Sequence, residues 1–247
     1  MNTIILTSKL DLYEKDEEGL RQPQHFGNLN GILDLLKSEV TGRENLLYIA
    51  STRDDYEMTD MYFEPFKKSF DMTLPFKNYI VLDGRNEESA ESLIRKADLI
   101  ILAGGHVPTQ NKFFKKIGLK ELLKNVNAPI LGMSAGSMNL EKTVWCPPEL
   151  EGESLDKNFK KYFSGLGYSD LKILPHYDDY EGLILDGKDY LKDIIMPDSF
   201  SHEILAINDG SYIVISGGQE VLFGEAYILK GGKETMICSH GQSIKLN

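Results

Sequence analysis

Cysteine is almost missing from this chain: there are two, Cys146 and Cys238, among 247 residues. Two thiols that far apart make neither a ligand-spaced metal cluster nor a disulfide framework, which suits a reducing compartment. Long apolar runs are missing too. No stretch approaches the roughly eighteen apolar residues that span a bilayer, and the opening MNTIILTSKLDL lacks the basic flank and cleavage site of a secretory signal. A soluble, cytoplasmic protein is expected. The third shortage is positive charge: 27 Lys and Arg stand against 38 Asp and Glu, a formal charge of −11. That balance disfavours nucleic acid and anionic membrane as partners, since both carry negative charge themselves. No arginine follows Arg95. The histidines are scattered, no H-E-x-x-H occurs, and the late Gly-Gly pairs do not form a nucleotide fingerprint, so no metal and no nucleotide is expected.

What the chain does hold is alternation. Short apolar runs at 3–7 (TIILT), 46–50 (LLYIA), 79–82 (YIVL), 99–103 (LIILA) and 129–133 (PILGM) read as parallel strands covered on both faces. Helix-like stretches at 28–40, 57–70, 88–96 and 111–124 separate them. The last carries Phe113, Phe114, Ile117, Leu119, Leu122 and Leu123 as an apolar stripe. Alternating β and α units predict a three-layer α/β fold: a mostly parallel, doubly wound sheet with helices on both faces. Beyond residue 200 the pattern changes. Runs at 203–208, 211–216, 220–223 and 226–229 are separated by Asp209-Gly210, Gly217-Gly218 and Gly231-Gly232, which predicts antiparallel hairpins finishing the sheet. There is no linker or internal repeat, so residues 1–247 are expected to form one domain, of a size that buries a sizeable core.

The strongest chemical signal is Gly132-Met133-Ser134-Ala135-Gly136, directly after an apolar strand. This is the G-x-S-x-G pattern of a nucleophile elbow. A serine at the tip of a strand-to-helix turn sits in a crowded backbone, which the flanking glycines relieve. The helix that follows turns free N–H groups and its positive dipole end toward the serine, and the Ala135 N–H is placed to receive an oxyanion. The plainer reading is a strand-to-helix turn built of small residues. A second element, Gly104-Gly105-His106, ends the preceding strand, where ligands gather in open α/β sheets. Gly105 N–H is a candidate second oxyanion donor; Gly104 and His106 are candidate substrate contacts, or parts of an ordinary turn.

A serine needs a base, and histidine is the usual one. Of His25, His106, His176, His202 and His240, His176 stands out because strand-like 171–175 (LKILP) delivers it at a strand end. Asp209, Asp178 and Glu149 are all credible as its orienting acid, and spacing does not choose among them.

Taken in order, these features resemble the peptidase E and cyanophycinase-like family of serine peptidases, whose fold is related to class I glutamine amidotransferases. The resemblance rests on the N-terminal strand, Gly104-Gly105, Ser134 to Gly136, Pro175-His176 and the acidic turn Asp209-Gly210. It implies a Ser134 nucleophile, His176 as base and Asp209 as acid, where the family usually has Glu before Gly. Glu149 stays in play, because family members carry an acid nearby. The same resemblance implies an oxyanion hole from Gly105 and Ala135, and triad chemistry needs no cofactor. One departure concerns the substrate. Peptidase E prefers an N-terminal aspartate, which an arginine fork would recognise. Here the region after His176 offers only Lys188 and Lys192, and 177–187 is acidic. A dipeptidase-like or aminopeptidase-like enzyme without strict Asp specificity is therefore expected, with a small peptide as substrate and a homodimer compatible with it. Two other readings compete. One is an α/β-hydrolase esterase using Ser134, Asp209 and His240; the other is a catalytically silent amidotransferase-like binding module.

Overall fold

The computed structural model describes residues 2–246. Five strands follow from the apolar runs: β1 (Ile4–Thr7), β2 (Asn45–Ile49), β3 (Asn78–Leu82), β4 (Leu99–Leu102) and β5 (Ile130–Met133). They lie parallel in the order β1-β5-β4-β2-β3. Both faces are covered, and alternate residues sort to opposite faces as a period of two requires. Ile4, Leu6, Leu47, Ile49, Ile100 and Leu102 face one core. Ile5, Leu46, Tyr48, Leu99, Ile101 and Leu131 face the other. Helices α1 (Ile32–Glu39) and α2 (Tyr56–Thr73) cover the second face, with Leu36, Phe66 and Phe70 buried there. Helices α3 (Ala90–Arg95) and α4 (Val107–Lys116) cover the first, through Ile94, Phe113 and Phe114. Helix α5 (Ala135–Asn139) leaves the end of β5. No described helix is long and apolar enough to cross a membrane.

The C-terminal third departs from the simple expectation of hairpins finishing one sheet. Strands β6 (Ile173–Leu174), β7 (Ile204–Ile207), β8 (Tyr212–Ser216), β9 (Gln219–Phe223), β10 (Ala226–Lys230), β11 (Lys233–Cys238) and β12 (Ser243–Lys245) divide between two sheets. β8, β9 and β12 extend the main sheet antiparallel beyond β1. β6, β7, β10 and β11 form a second sheet of four. Its Ile173, Leu205, Ile207 and Ala226 join the core of the main sheet, while Leu174, Ile204, Ala206 and Leu229 pack with Trp145, Tyr190 and Ile195. This division buries both faces of β6 and β7, while β11 at the edge of the second sheet stays largely exposed.

Candidate active site

Strand register determines where the chemistry collects. β1, β5 and β4 run parallel with Thr7 opposite Met133 and Leu102 opposite Gly132, so Ser8, Ser134 and Gly104 leave one edge of the main sheet together. In the second sheet β6 and β7 are parallel, with Leu174 opposite Ala206, so His176 and Asp209 emerge at the same end. A carbon at the Gly104 Cβ position would lie 3.6 Å from the Ser134 Cβ, which puts the glycine pair beside the serine.

Ser134 has φ 49° and ψ −109°, a region costing a non-glycine residue about 1–3 kcal/mol. Its surroundings hold it there. The Ser134 N–H donates to the carbonyls of Thr7 (3.0 Å) and Ser8 (3.1 Å). Ser137 Oγ accepts the Thr7 N–H and lies against Gly132 O and Thr7 O, which share its single proton, all at 2.8 Å. The elbow's glycines are required by volume: a Cβ on Gly132 would come within 2.6 Å of Ser137 N, and one on Gly136 would run into the Leu102 carbonyl. Ala135 opens α5, so its N–H has no intrahelical acceptor. Gly105 adopts φ 147°, and a Cβ there would meet Ser51 Oγ at 2.5 Å.

His176 opens a short 3₁₀ turn (Tyr177–Tyr180) with φ 57°. Its Nδ1 lies 2.7 Å from Asp209 Oδ1. Burial pushes the Asp209 carboxyl up, but His176, the Ser8 hydroxyl and Lys9 outweigh it and hold the pKa down at about 2. Lys9 Nζ stands 3.2 Å from Asp209 Oδ2. The two other acids weighed from sequence sit elsewhere. Asp178 accepts the backbone N–H of Asp209 at 3.2 Å rather than meeting the imidazole. Glu149 lies within the electrostatic reach of His176, and burial pushes its pKa up to about 7 against the pull of the Val107 N–H.

The profile of peptidase family S51 matches residues 22–222, most of the chain. The chain belongs to that family. Family S51 members are serine-type peptidases, so this is a hydrolase of peptide bonds of the peptidase E type. A search of curated proteins returned no match. Among solved structures, a peptidase from an acI-B1 Actinobacterium superposes with TM-score 0.65 at 17% identity, covering 100% of this chain and 97% of the other. A protein assigned to peptidase E from Listeria monocytogenes EGD-e superposes with TM-score 0.58 at 18% identity, covering 90% of this chain and 98% of its own. At such identities the likeness is one of fold.

The other histidines of this S51 chain are placed differently. His106 Nδ1 lies 2.8 Å from Thr109 Oγ1 and its Nε2 3.0 Å from Glu153 Oε1, so both ring nitrogens are occupied. His25 and His240 are exposed, and His202 packs edge-on against Trp145 and Tyr162. The esterase arrangement needed His240 at Asp209, but the imidazole bonded to that carboxylate is His176.

Several supporting residues carry no signal in a single sequence. Gln110, Asn111 and Asn139 form a buried network: Gln110 Nε2 donates to Ala103 O at 2.6 Å, Asn139 Nδ2 to Gln110 Oε1 at 3.0 Å, and Asn111 Nδ2 to Asn139 Oδ1 at 2.8 Å. It ties α4 and the glycine pair to the helix behind Ser134. Glu141, fully buried, accepts the N–H groups of Ile173 (2.9 Å) and Trp145 (3.3 Å) with Lys172 Nζ 3.7 Å away. It joins the exit of α5 to the strand that delivers His176. Its pKa is pushed well above the usual carboxylate range by that burial. Buried polar side chains are rare enough to be informative once their partners are seen, but nothing in a single sequence tells them from solvated ones.

Proposed function

We propose that this chain hydrolyses the peptide bond of small peptides carrying a free α-amino group, with Ser134 as nucleophile, His176 as base and Asp209 as the acid that orients it. The observation that carries the reading is the 2.7 Å contact between His176 Nδ1 and Asp209 Oδ1, joined through Ser8 to a serine held at φ 49°. With its Nδ1–H committed to a carboxylate, the imidazole presents a basic Nε2, the tautomer needed to take a proton from a serine hydroxyl. Ser134 Oγ then attacks the scissile carbonyl. The N–H groups of Gly105 and Ala135 receive the oxyanion, and His176 returns the proton to the leaving amine. Water repeats the sequence on the acyl-enzyme.

The substrate class follows from charge. Glu149, half-buried and within the electrostatic reach of His176, suits a substrate ammonium group, which would draw its raised pKa back down. The lysines of the following segment are committed: Lys188 Nζ donates to Ser154 O at 2.7 Å, and Lys192 pairs with Asp189 at 3.1 Å. With 177–187 acidic, an aspartyl side chain at the amino terminus would meet like charge. A dipeptidase without Asp preference fits best.

The test is hydrolysis of a dipeptide panel, Asp-X and neutral X-X, by wild type and Ser134→Ala. Turnover of neutral members that drops on the order of 10⁴-fold or more in the variant supports the reading. Cleavage of Asp-X alone would overturn the substrate class, and turnover surviving in Ser134→Ala would overturn the nucleophile.

A further inference from the structure

The end of β1 meets all three residues of the proposed triad through one residue, by its side chain and its backbone carbonyl. Ser8 is 1% exposed and lies immediately after Thr7, where the main sheet faces the second. Its hydroxyl has one proton and two lone pairs. The proton goes to Asp209 Oδ1 at 2.7 Å, and a lone pair accepts the backbone N–H of His176 at 2.8 Å. The same hydroxyl oxygen is 3.5 Å from His176 Nδ1. Its own carbonyl shares the N–H of Ser134 at 3.1 Å.

Each bond meets a need. Asp209 Oδ1 receives two donors, the imidazole and the Ser8 hydroxyl, while Oδ2 faces Lys9 at 3.2 Å. A carboxylate on a turn, held from three sides, cannot rotate away from the imidazole. His176 has φ 57°, a conformation a non-glycine residue keeps only when neighbours enforce it, and the Ser8 oxygen is the acceptor for its N–H. Ser134 has the same difficulty at φ 49°, and the Thr7 and Ser8 carbonyls hold its N–H. The nucleophile comes from one sheet, and the base and acid from another. Ser8 is hydrogen-bonded to both.

We infer that Ser8 is a positioning residue for the triad: its hydroxyl sets the His176–Asp209 pair in register with Ser134 and shares the carboxylate charge. This rests on the triad reading above. Ser8 does not touch the reacting atoms; it acts through the groups that do. A purely structural Ser8 would affect stability alone. A positioning Ser8 also alters the base. Without its hydroxyl the carboxylate accepts one hydrogen bond fewer, keeps more negative charge for the imidazolium, and the free base is available only at higher pH. The other charged and titratable groups around the pair are Lys9 after β1, Asp178, Asp179 and Tyr180 in the turn after His176, and Glu149 across the site. Replacing Ser8 leaves them all in place.

The experiment measures the rate of active-site labelling by a fluorophosphonate across pH for wild type, Ser8→Ala and Ser134→Ala, with thermal unfolding of each. This probe needs no knowledge of the substrate. Ser8→Ala is expected to label roughly ten- to a hundredfold more slowly, the range set by losing a hydrogen bond to a charged group. The acid limb of its pH–rate profile is expected to move to higher pH. Wild-type labelling with an unmoved limb, whatever happens to thermal stability, overturns the inference. If Ser8→Ala cannot be purified, Ser8→Cys fills nearly the same space with a weak hydrogen-bonding group, and the same slowing and shift are required of it. Ser134→Ala separates the two claims. Labelling that survives in it refutes the nucleophile, whereas labelling lost there but unchanged in Ser8→Ala refutes only the role of Ser8.

Discussion

The two sides of the site are held by different forces. Around Ser134 the constraint is volume and backbone. A Cβ on Gly132 would stand 2.6 Å from Ser137 N, the strained backbone is pinned by the Thr7 and Ser8 carbonyls at the end of β1, and among the described residues no charged side chain bonds to the elbow. Around His176 and Asp209 the constraint is charge and hydrogen bonding. The imidazole and carboxylate side chains are 27% and 21% exposed, and the acid is shared among His176, Ser8 and Lys9. Excluded volume cannot be removed without disturbing the fold. A hydrogen bond can be removed with the fold intact. One side should therefore fail by unfolding and the other by losing chemistry, and the contrast can be tested from both directions.

The largest effect is expected on the hydrogen-bonded side. Asp209→Asn keeps shape but favours the wrong imidazole tautomer, and kcat should fall on the order of 10⁴-fold. Steady-state kinetics beside thermal unfolding would check this, and a matching collapse of stability would erase the distinction. Gly136→Ala is the opposite case. Its Cβ runs into the Leu102 carbonyl, an overpacking that should cost about 3 kcal/mol of stability by chemical denaturation. Full stability in that variant would mean the elbow is not set by volume.

Acid should also distinguish the two sides. Asp209 keeps its charge in the folded state down to a pKa of about 2, below its ordinary value of 3.8. The unfolded chain therefore takes up this proton first as pH falls. The contribution is complete above about pH 4 and is lost as pH falls toward 2. The difference in stability between wild type and Asp209→Asn should narrow over that window.

The smallest effect concerns recognition. Glu149→Gln should raise KM for neutral dipeptides roughly tenfold, as expected for losing a charge-assisted hydrogen bond, with kcat less affected. In wild type KM should fall as pH rises through about 7, where Glu149 ionises, and that dependence should vanish in Glu149→Gln. An unchanged KM would remove Glu149 from substrate binding.

Much of the main sheet could be read from the chain, because near-continuous apolar runs survive in any register. Where the expectation slipped, a local cause is visible. The helix expected over 28–40 begins as a 3₁₀ turn broken by Asn30 at φ 53°, and α1 starts at Ile32. The helix expected over 111–124 starts earlier, at Val107, because Pro108 is tolerated in a first turn, and it breaks at Gly118, which has φ 64°. The small hairpin of Tyr13–Lys15 and Arg21–Pro23 has polar strands, YEK and RQP, and left no periodic signal. The second sheet was invisible for another reason. Alternation shows that a segment is a strand but not which partner it pairs with, and β7 to β11 divide between sheets within a few residues of each other.

The same division runs through the site. The strand, the glycines and the serine of the elbow lie within a few residues, so their crowding is a local property that the pattern of residues alone determined. The acid that meets His176 is 33 residues away from it, and the serine that braces both is 168 residues from the histidine. By spacing alone Asp209, Asp178 and Glu149 stood equal, and the family resemblance favoured Asp209 without placing it. Only strand pairing between β6 and β7, and the packing of that sheet against the end of β1, brought Asp209 to the imidazole. Hydrogen bonds act over about 3 Å, so which distant residues share one is decided by the tertiary structure.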